Sequence, residues 1–463
     1  MKTICRVLVL LLLVSSVLHA QANSAPLTKE ERIAFVENVS KLLNENYVFP
    51  DIAMQIEKHL KDRLASGAFD NLTVANEFAE VMTKELQSIS HDKHMRVRVN
   101  SNRGTAASPT VRPDPIVQNY ERTKNLERIN YGFTRVEKLD NNIGYLDLTG
   151  FPSLVSAKEY ADLAMRFLST ADALIIDLRH NGGGNPDLIQ YVCSYFFEKP
   201  THTNSLYYRA ANQTTDFITF EKVDGKKMHD IPLFLLTSAQ TFSGGEEFAY
   251  DIQTQKRGTL IGEVTGGGAN PGGMFPVSGA LAIFIPTGRA INPVTKTNWE
   301  GVGVVPEIKC SADKALETAL PLAREAAKVH AQAVDKIVLK QIEAIGLELK
   351  KAGRLFAEKN NDAENYLWSI LVNARKNDRL NENIINGLGY DKLGAGEYEI
   401  AISIFKFNTS AFPTSANAHD SLGEAYMTAG NKELAIENYE KSLQLNPDSQ
   451  SAKEALQKLR GGK

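Results

Sequence analysis

The stretch that decides the fold is ALIIDLRHNGGG (Ala173–Gly184). Its first six residues form a short, unbroken apolar run, as in a strand buried on both faces. Arg-His-Asn-Gly-Gly-Gly follows, and then Pro186–Phe197, which has helical spacing. Three glycines at a strand-to-helix turn leave backbone N–H groups bare, as an oxyanion hole or an anion site requires. The run is neither G-x-G-x-x-G nor G-x-x-x-x-G-K-S/T, which argues against a nucleotide loop. A tight turn without any ligand is the structural alternative.

Outward from this turn the same grammar repeats. IGYLDL (Ile143–Leu148), PLFLLT (Pro232–Thr237) and TLIGEV (Thr259–Val264) read as further buried strands. Between them Ser156–Leu168 and Gly245–Gln255 read as helices, which predicts an α/β core with its site near the carboxyl ends of the strands. Ser205–Val223 reads as an inserted hairpin. The core spans residues 128–315 and closes near Pro306–Lys309. Ahead of it, 23–100 read as a helical unit that opens on a Thr28/Glu31 capping box. Residues 101–127, rich in Ser, Pro, Asn and Arg without clear periodicity, read as a linker. Residues 316–380 read as a helical connector.

Residues 381–463 contain a repeat. A shift of 34 superimposes Leu388 on Leu422, Gly389 on Gly423, Ala401 on Ala435, Phe405 on Tyr439 and Pro413 on Pro447. That period, with small residues where helices cross, resembles the tetratricopeptide repeat. Flanking helices are expected to cover so short an array. Such repeats bind segments of other proteins, so a protein partner is one expected role and a structural cap is the other.

With 463 residues, 43% hydrophobic and 23% charged, the chain has the make-up of a globular protein of about three domains. Its 52 basic and 55 acidic residues leave a net charge of -3, which offers no field for nucleic acid. Lys2 and Arg6, the apolar run Val7–Val17 and Ala-Gln-Ala at 20–22 read as a signal peptide over 1–22. No later run is long enough to span a membrane. The expectation is an exported bacterial protein, periplasmic or extracellular. Cys193 and Cys310 then remain, and are expected as two buried thiols rather than a disulfide framework.

The chemistry-bearing candidates lie in separate segments. TSAQTFSGGEEFA (Thr237–Ala249) sets Ser243 between a strand and a helix, with Gly244 and Gly245 leaving room for a substrate carbonyl. Ser243 with Glu246 also fits a helix-capping box, S-x-x-E. His91 and His94 form an H-x-x-H pair, but no third ligand stands at a recognisable spacing, so neither a metal nor any cofactor is expected.

Taken together, DLRHNGGG (Asp177–Gly184), TSAQTFSGGEEFA, GEVTGGG (Gly262–Gly268) and WEGVGVVPE (Trp299–Glu307) resemble the tail-specific, or C-terminal processing, serine peptidases. The nearest likeness is to the branch of tricorn and the retinoid-binding-protein modules. The resemblance covers about residues 27–315 and implies a core of the ClpP/crotonase type, a spiral of ββα units. It makes Ser243 the nucleophile and gives the oxyanion to Gly244 and the turn Gly182–Gly184, with Gly183 preferred. It also places Gly266, Gly267 and Gly268 at the substrate. Tail-specific members carry a lysine base where this chain has Gly268, so a lysine dyad is excluded there. SHDKHMRV (Ser90–Val97) matches the histidine segment of the tricorn-like branch, with His94 as base and His91 and His180 as successively weaker choices. Glu300 matches the glutamate that orients the histidine. Physically, a serine hydroxyl needs a neighbouring imidazole, and the imidazole needs a carboxylate to fix its tautomer. The implied activity is hydrolysis of peptides or unfolded segments through an acyl-enzyme, rising between about pH 6 and 7 as an ordinary histidine deprotonates. The competing reading is a non-catalytic module that holds an apolar ligand or a protein on the same fold.

Overall fold

A computed structural model describes residues 26–99, 114–278 and 281–461, so the leader expected at 1–22 lies outside the described residues. The chain divides into two compact units, Met1–Ala331 and Gln332–Lys463.

The first unit opens with three helices, α1 (Lys29–Asn46), α2 (Pro50–Ala65) and α3 (Ala75–Ser90). The capping box read at Thr28 and Glu31 is formed, with both reciprocal bonds present. The apolar faces of the helices, among them Phe35, Val39, Leu43, Ile56, Phe78 and Met82, are buried. They close on a three-stranded antiparallel sheet of β1 (Arg96–Val99), β10 (Leu281–Pro286) and β9 (Gly272–Ser278). The helical unit is therefore completed by a hairpin lying almost two hundred residues further along the chain.

The expectation of an unstructured linker fails at its C-terminal half. Pro115–Arg128 forms a helix, α4, with Pro at its start and the Asp114 carboxylate capping Ile116 N–H. None of its residues is buried, so the helix lacks the apolar stripe that a sequence pattern depends on.

The central sheet has six strands in the order β12-β8-β7-β4-β3-β2. β2 (Phe133–Leu139) lies antiparallel to β3 (Ile143–Leu148), and β3, β4 (Ala173–Asp177), β7 (Leu233–Thr237), β8 (Thr259–Gly262) and β12 (Ile308–Lys309) run parallel. The crossovers carry α5 (Leu154–Leu168), α6 (Pro186–Cys193) and α7 (Gly244–Thr254). β5 (His202–Tyr208) and β6 (Gln213–Ile218) form the expected hairpin, and β11 (Gly288–Ile291) adds to its edge as a second three-stranded sheet.

One face of the central sheet packs on the crossover helices. The other face, with Ile143, Ile175, Leu236 and Ile261, is covered by Ala315, Ala319, Ala323 and Ala327. These four alanines, one per turn, belong to the long helix α8 (Ala315–Ala357). Residues expected only as a connector thus begin as part of the core.

The second unit is all-helical, with α9 (Ala363–Lys376), α10 (Glu382–Gly394), α11 (Tyr398–Ala411), α12 (Ala416–Thr428), α13 (Lys432–Leu445) and α14 (Gln450–Gly461). The 34-residue pattern has a direct steric cause. A Cβ at Gly389 would stand 2.6 Å from the Phe405 ring, and one at Gly423 would stand 3.1 Å from that of Tyr439. Each glycine lets the aromatic of the following helix lie against the backbone.

Candidate active site

The site gathers at the carboxyl ends of β4, β7 and β8. After β7 the chain turns sharply, and Ser243 adopts φ 54°, ψ -120°. Such a backbone costs about 1–3 kcal/mol in a residue with a side chain and persists only where its surroundings impose it. Here Glu246 imposes it. Its buried carboxylate accepts Ser243 N–H at 2.8 Å, Gly267 N–H at 2.6 Å, Gly268 N–H at 2.8 Å and the Thr265 hydroxyl at 2.5 Å. Burial nevertheless raises its pKa above the usual range, against the pull of those four donors. The capping-box reading is thus right for Glu246, while Ser243 Oγ makes no side-chain cap bond and stays available.

The glycine turn after β4 meets this serine directly. Gly183 has φ 97°, and a Cβ there would stand 2.6 Å from Gly244 N and 2.8 Å from Ser243 Cβ. Asn181 ties the two turns together. Its carbonyl accepts Phe242 N–H at 2.9 Å, its Oδ1 accepts Gly183 N–H at 2.8 Å, and its Nδ2 donates to Leu148 O at 2.8 Å. The Gly183 amide expected at an oxyanion is therefore already engaged. Gly244 N–H and Gly184 N–H have no acceptor among the described residues. They are also neighbours, since a Cβ on Gly244 would stand 2.9 Å from Gly184 N.

The glycines expected to bind substrate have another task. Gly266 N–H goes to Thr241 O, and Gly267 and Gly268 N–H go to Glu246. Their carbonyls accept from Lys93 Nζ, Gly301 N–H and Trp299 Nε1. No amide of the three remains for a substrate. What Gly268 supplies is space, because a Cβ there would stand 2.7 Å from His94 Cε1 and 2.4 Å from Phe242 Cζ.

His94 follows α3 and lies against Phe242, the residue before the serine, with ring centroids 4.6 Å apart. Phe284 stacks at 5.7 Å on the same ring. Burial, helped by the positive charge of Arg96, pushes the His94 pKa down to about 4. His91 ends α3 in a left-handed conformation (φ 56°) and is exposed, and His180 is exposed too. Glu300 accepts Ala269 N–H at 2.6 Å and Asn270 N–H at 3.2 Å, and burial followed by the charge of Asp92 raises its pKa to about 8. His94, Glu300 and Asp92 each place one ligand atom within 4.8 Å of the others, a donor set of one imidazole and two carboxyls. Asp92 was not singled out by the sequence argument, although it stands two residues before His94. Glu246 and Asn181, which hold the turns together, gave no sequence signal beyond the helix cap.

A serine on a strained turn next to two free amides, with a largely buried imidazole packed on the preceding Phe242, has the parts of a serine-type peptidase. Residues 142–310 match the family model of peptidase family S41, residues 20–131 match the N-terminal domain of peptidase S41 in eukaryotic IRBP, and residues 416–449 match a tetratricopeptide repeat. Residues 142–310 thus form a peptidase family S41 domain, in a chain that also carries a tetratricopeptide repeat. Among solved structures, a Parabacteroides merdae protein described as a candidate peptidase is 18% identical, with a TM-score of 0.45 over 65% of this chain and 97% of its own. The photosystem II D1 C-terminal processing protease is 15% identical, with a TM-score of 0.39 over 62% of this chain and 94% of its own. The tricorn protease is 14% identical, with a TM-score of 0.39 over 65% of this chain and 37% of its own.

Proposed function

We propose that this peptidase uses Ser243, His94 and Glu300 rather than a serine–lysine dyad, and cuts peptides or unfolded segments outside the cytoplasm. The observation that carries the choice of base is steric. The room above position 268, where a lysine would stand, is filled by the His94 ring.

In the proposed reaction Ser243 Oγ attacks the scissile carbonyl and His94 takes its proton. The tetrahedral oxyanion rests on Gly244 N–H and Gly184 N–H, the two unengaged amides, in place of Gly183. His94 then gives the proton to the leaving amine, and water repeats the sequence on the acyl-enzyme. Glu300 sits beside the imidazole to hold its tautomer. A fluorophosphonate probe should label the wild-type protein, and Ser243→Ala should abolish labelling. Unchanged labelling of that variant removes Ser243 from the role. A wild-type protein that never labels but co-purifies with lipid supports the binding-module reading instead.

Export rests on the charged start, the short apolar run and the Ala-x-Ala at 20–22. N-terminal sequencing of the mature protein tests it, with cleavage near residue 22 expected. The repeats are proposed to hold a segment of another protein.

A further inference from the structure

Asp92 is almost fully buried at this site, with 1% of its side chain exposed. Its Oδ1 accepts His94 N–H at 3.0 Å and lies 3.8 Å from His94 Nδ1. Its Oδ2 accepts Asn270 Nδ2 at 2.8 Å, and the backbone N–H of the same Asn270 donates to Glu300 Oε2. Asn270 therefore couples the two carboxyl groups, one from the loop before β1 and one from the segment before β12. Next to them His94 Nδ1 and Glu300 Oε1 are both buried without a hydrogen-bond partner. An orphaned buried polar atom is costly, so two around one cluster indicate a proton arrangement that heavy atoms alone do not display.

We propose that Asp92 is a second positioning residue for His94, sharing one proton with Glu300 so that a single negative charge faces the imidazole. Two carboxyl groups this close and this buried do not both ionise. A lone ionised pair partner satisfies Nδ1–H and stabilises the imidazolium as it forms. Two charges would tie the imidazole too tightly to its proton, and none would leave its tautomer unfixed. Burial raises Asp92 to about 6 and Glu300 to about 8, which is the direction such a shared proton requires. The other ionisable groups facing the cluster are Tyr47 from the α1–α2 turn, Arg96 on β1 and Glu246 on α7. The Tyr47 hydroxyl is pushed up by burial and by both carboxyls, so it stays neutral.

The inference rests on His94 being the base, and the experiment separates the two. Peptide hydrolysis by the full chain is followed across pH for wild type, Asp92→Asn, Asp92→Glu and Asn270→Ala, with Ser243→Ala and His94→Ala as references. Wild type should show two steps in kcat/KM, one for each ionisation of the pair. Asp92→Asn should show one step, with kcat lower by at least about tenfold and KM within twofold. Asp92→Glu should restore the second step, which a purely structural loss does not allow. Should Asp92→Asn fail to fold, Asn270→Ala, which removes the donor to Asp92 Oδ2 without removing either carboxyl, should shift the steps instead. Activity surviving in His94→Ala defeats the proposed base and the inference with it. A dead His94→Ala alongside an Asp92→Asn profile that superimposes on wild type defeats the inference alone.

Discussion

At the residue scale, the site turns on what stands around one imidazole. An ordinary histidine would switch activity on between about pH 6 and 7, but burial against Phe242 and Phe284 disfavours the imidazolium. Its lowered pKa puts the ionisation of His94 itself below that window, so steps of kcat/KM between pH 6 and 8 belong to the carboxyl pair. An NMR titration of the His94 ring in Ser243→Ala checks this, and a His94 midpoint near 6.5 contradicts it. Gly268 gives a second residue-scale prediction. A methyl group there forces the His94 and Phe242 rings to move, and overpacking of that kind costs about 1–3 kcal/mol. Gly268→Ala should cut the fluorophosphonate labelling rate by at least about tenfold while the chain still melts cooperatively. Labelling at the wild-type rate removes the steric argument for the base.

At the element scale, α7 carries more than the serine. Glu247 and Asp251 lie one turn apart on it and are both buried, with the Asn204 side chain beside Glu247. Burial raises Glu247 to about 7 from a usual value of 4.5, so the unfolded chain loses that proton first as pH rises. The stability that this group contributes is therefore full below about pH 4.5 and is lost as pH climbs through 7. At about 1.4 kcal/mol for each unit, the loss is on the order of 3 kcal/mol. Glu247→Gln should melt with a Tm that falls less than wild type between pH 5 and 8. Equal slopes in differential scanning calorimetry contradict the assignment.

The elements also show where sequence reading works. β3 and β4 are buried on both faces, so each is an apolar run whose ends can be read directly. β9 alternates weakly and contains Pro276, β1 has four residues, and α4 buries nothing, so periodicity could not find them. Ser243 and the glycine turn were legible because their chemistry needs local neighbours. Asp92 meets Asn270 across 178 positions of sequence, and no local pattern announces such a contact.

At the scale of the whole molecule, the boundary at Ala331 falls inside the single helix α8. The four alanines covering the sheet lie before that boundary, at 315, 319, 323 and 327. Ending the chain after Ala331 keeps this cover, whereas ending it after Lys309 bares Ile143, Tyr145, Ile175, Phe234, Leu236 and Ile261 together. Exposing a large apolar side chain costs about 1.5–3 kcal/mol. Six of them come to roughly 9–18 kcal/mol, as much as the roughly 5–15 kcal/mol that holds a typical domain folded. The shorter truncation should therefore be insoluble, while the one ending at Ala331 should fold and react with a fluorophosphonate like the full chain. Because the second unit has its own buried cores, its loss should leave cleavage of short peptides intact. It should slow only substrates that need the repeats for capture. Comparing kcat/KM for a short peptide and for an unfolded protein in the two chains decides it. An equal loss on both substrates would mean that the repeats serve the catalytic unit itself rather than a partner.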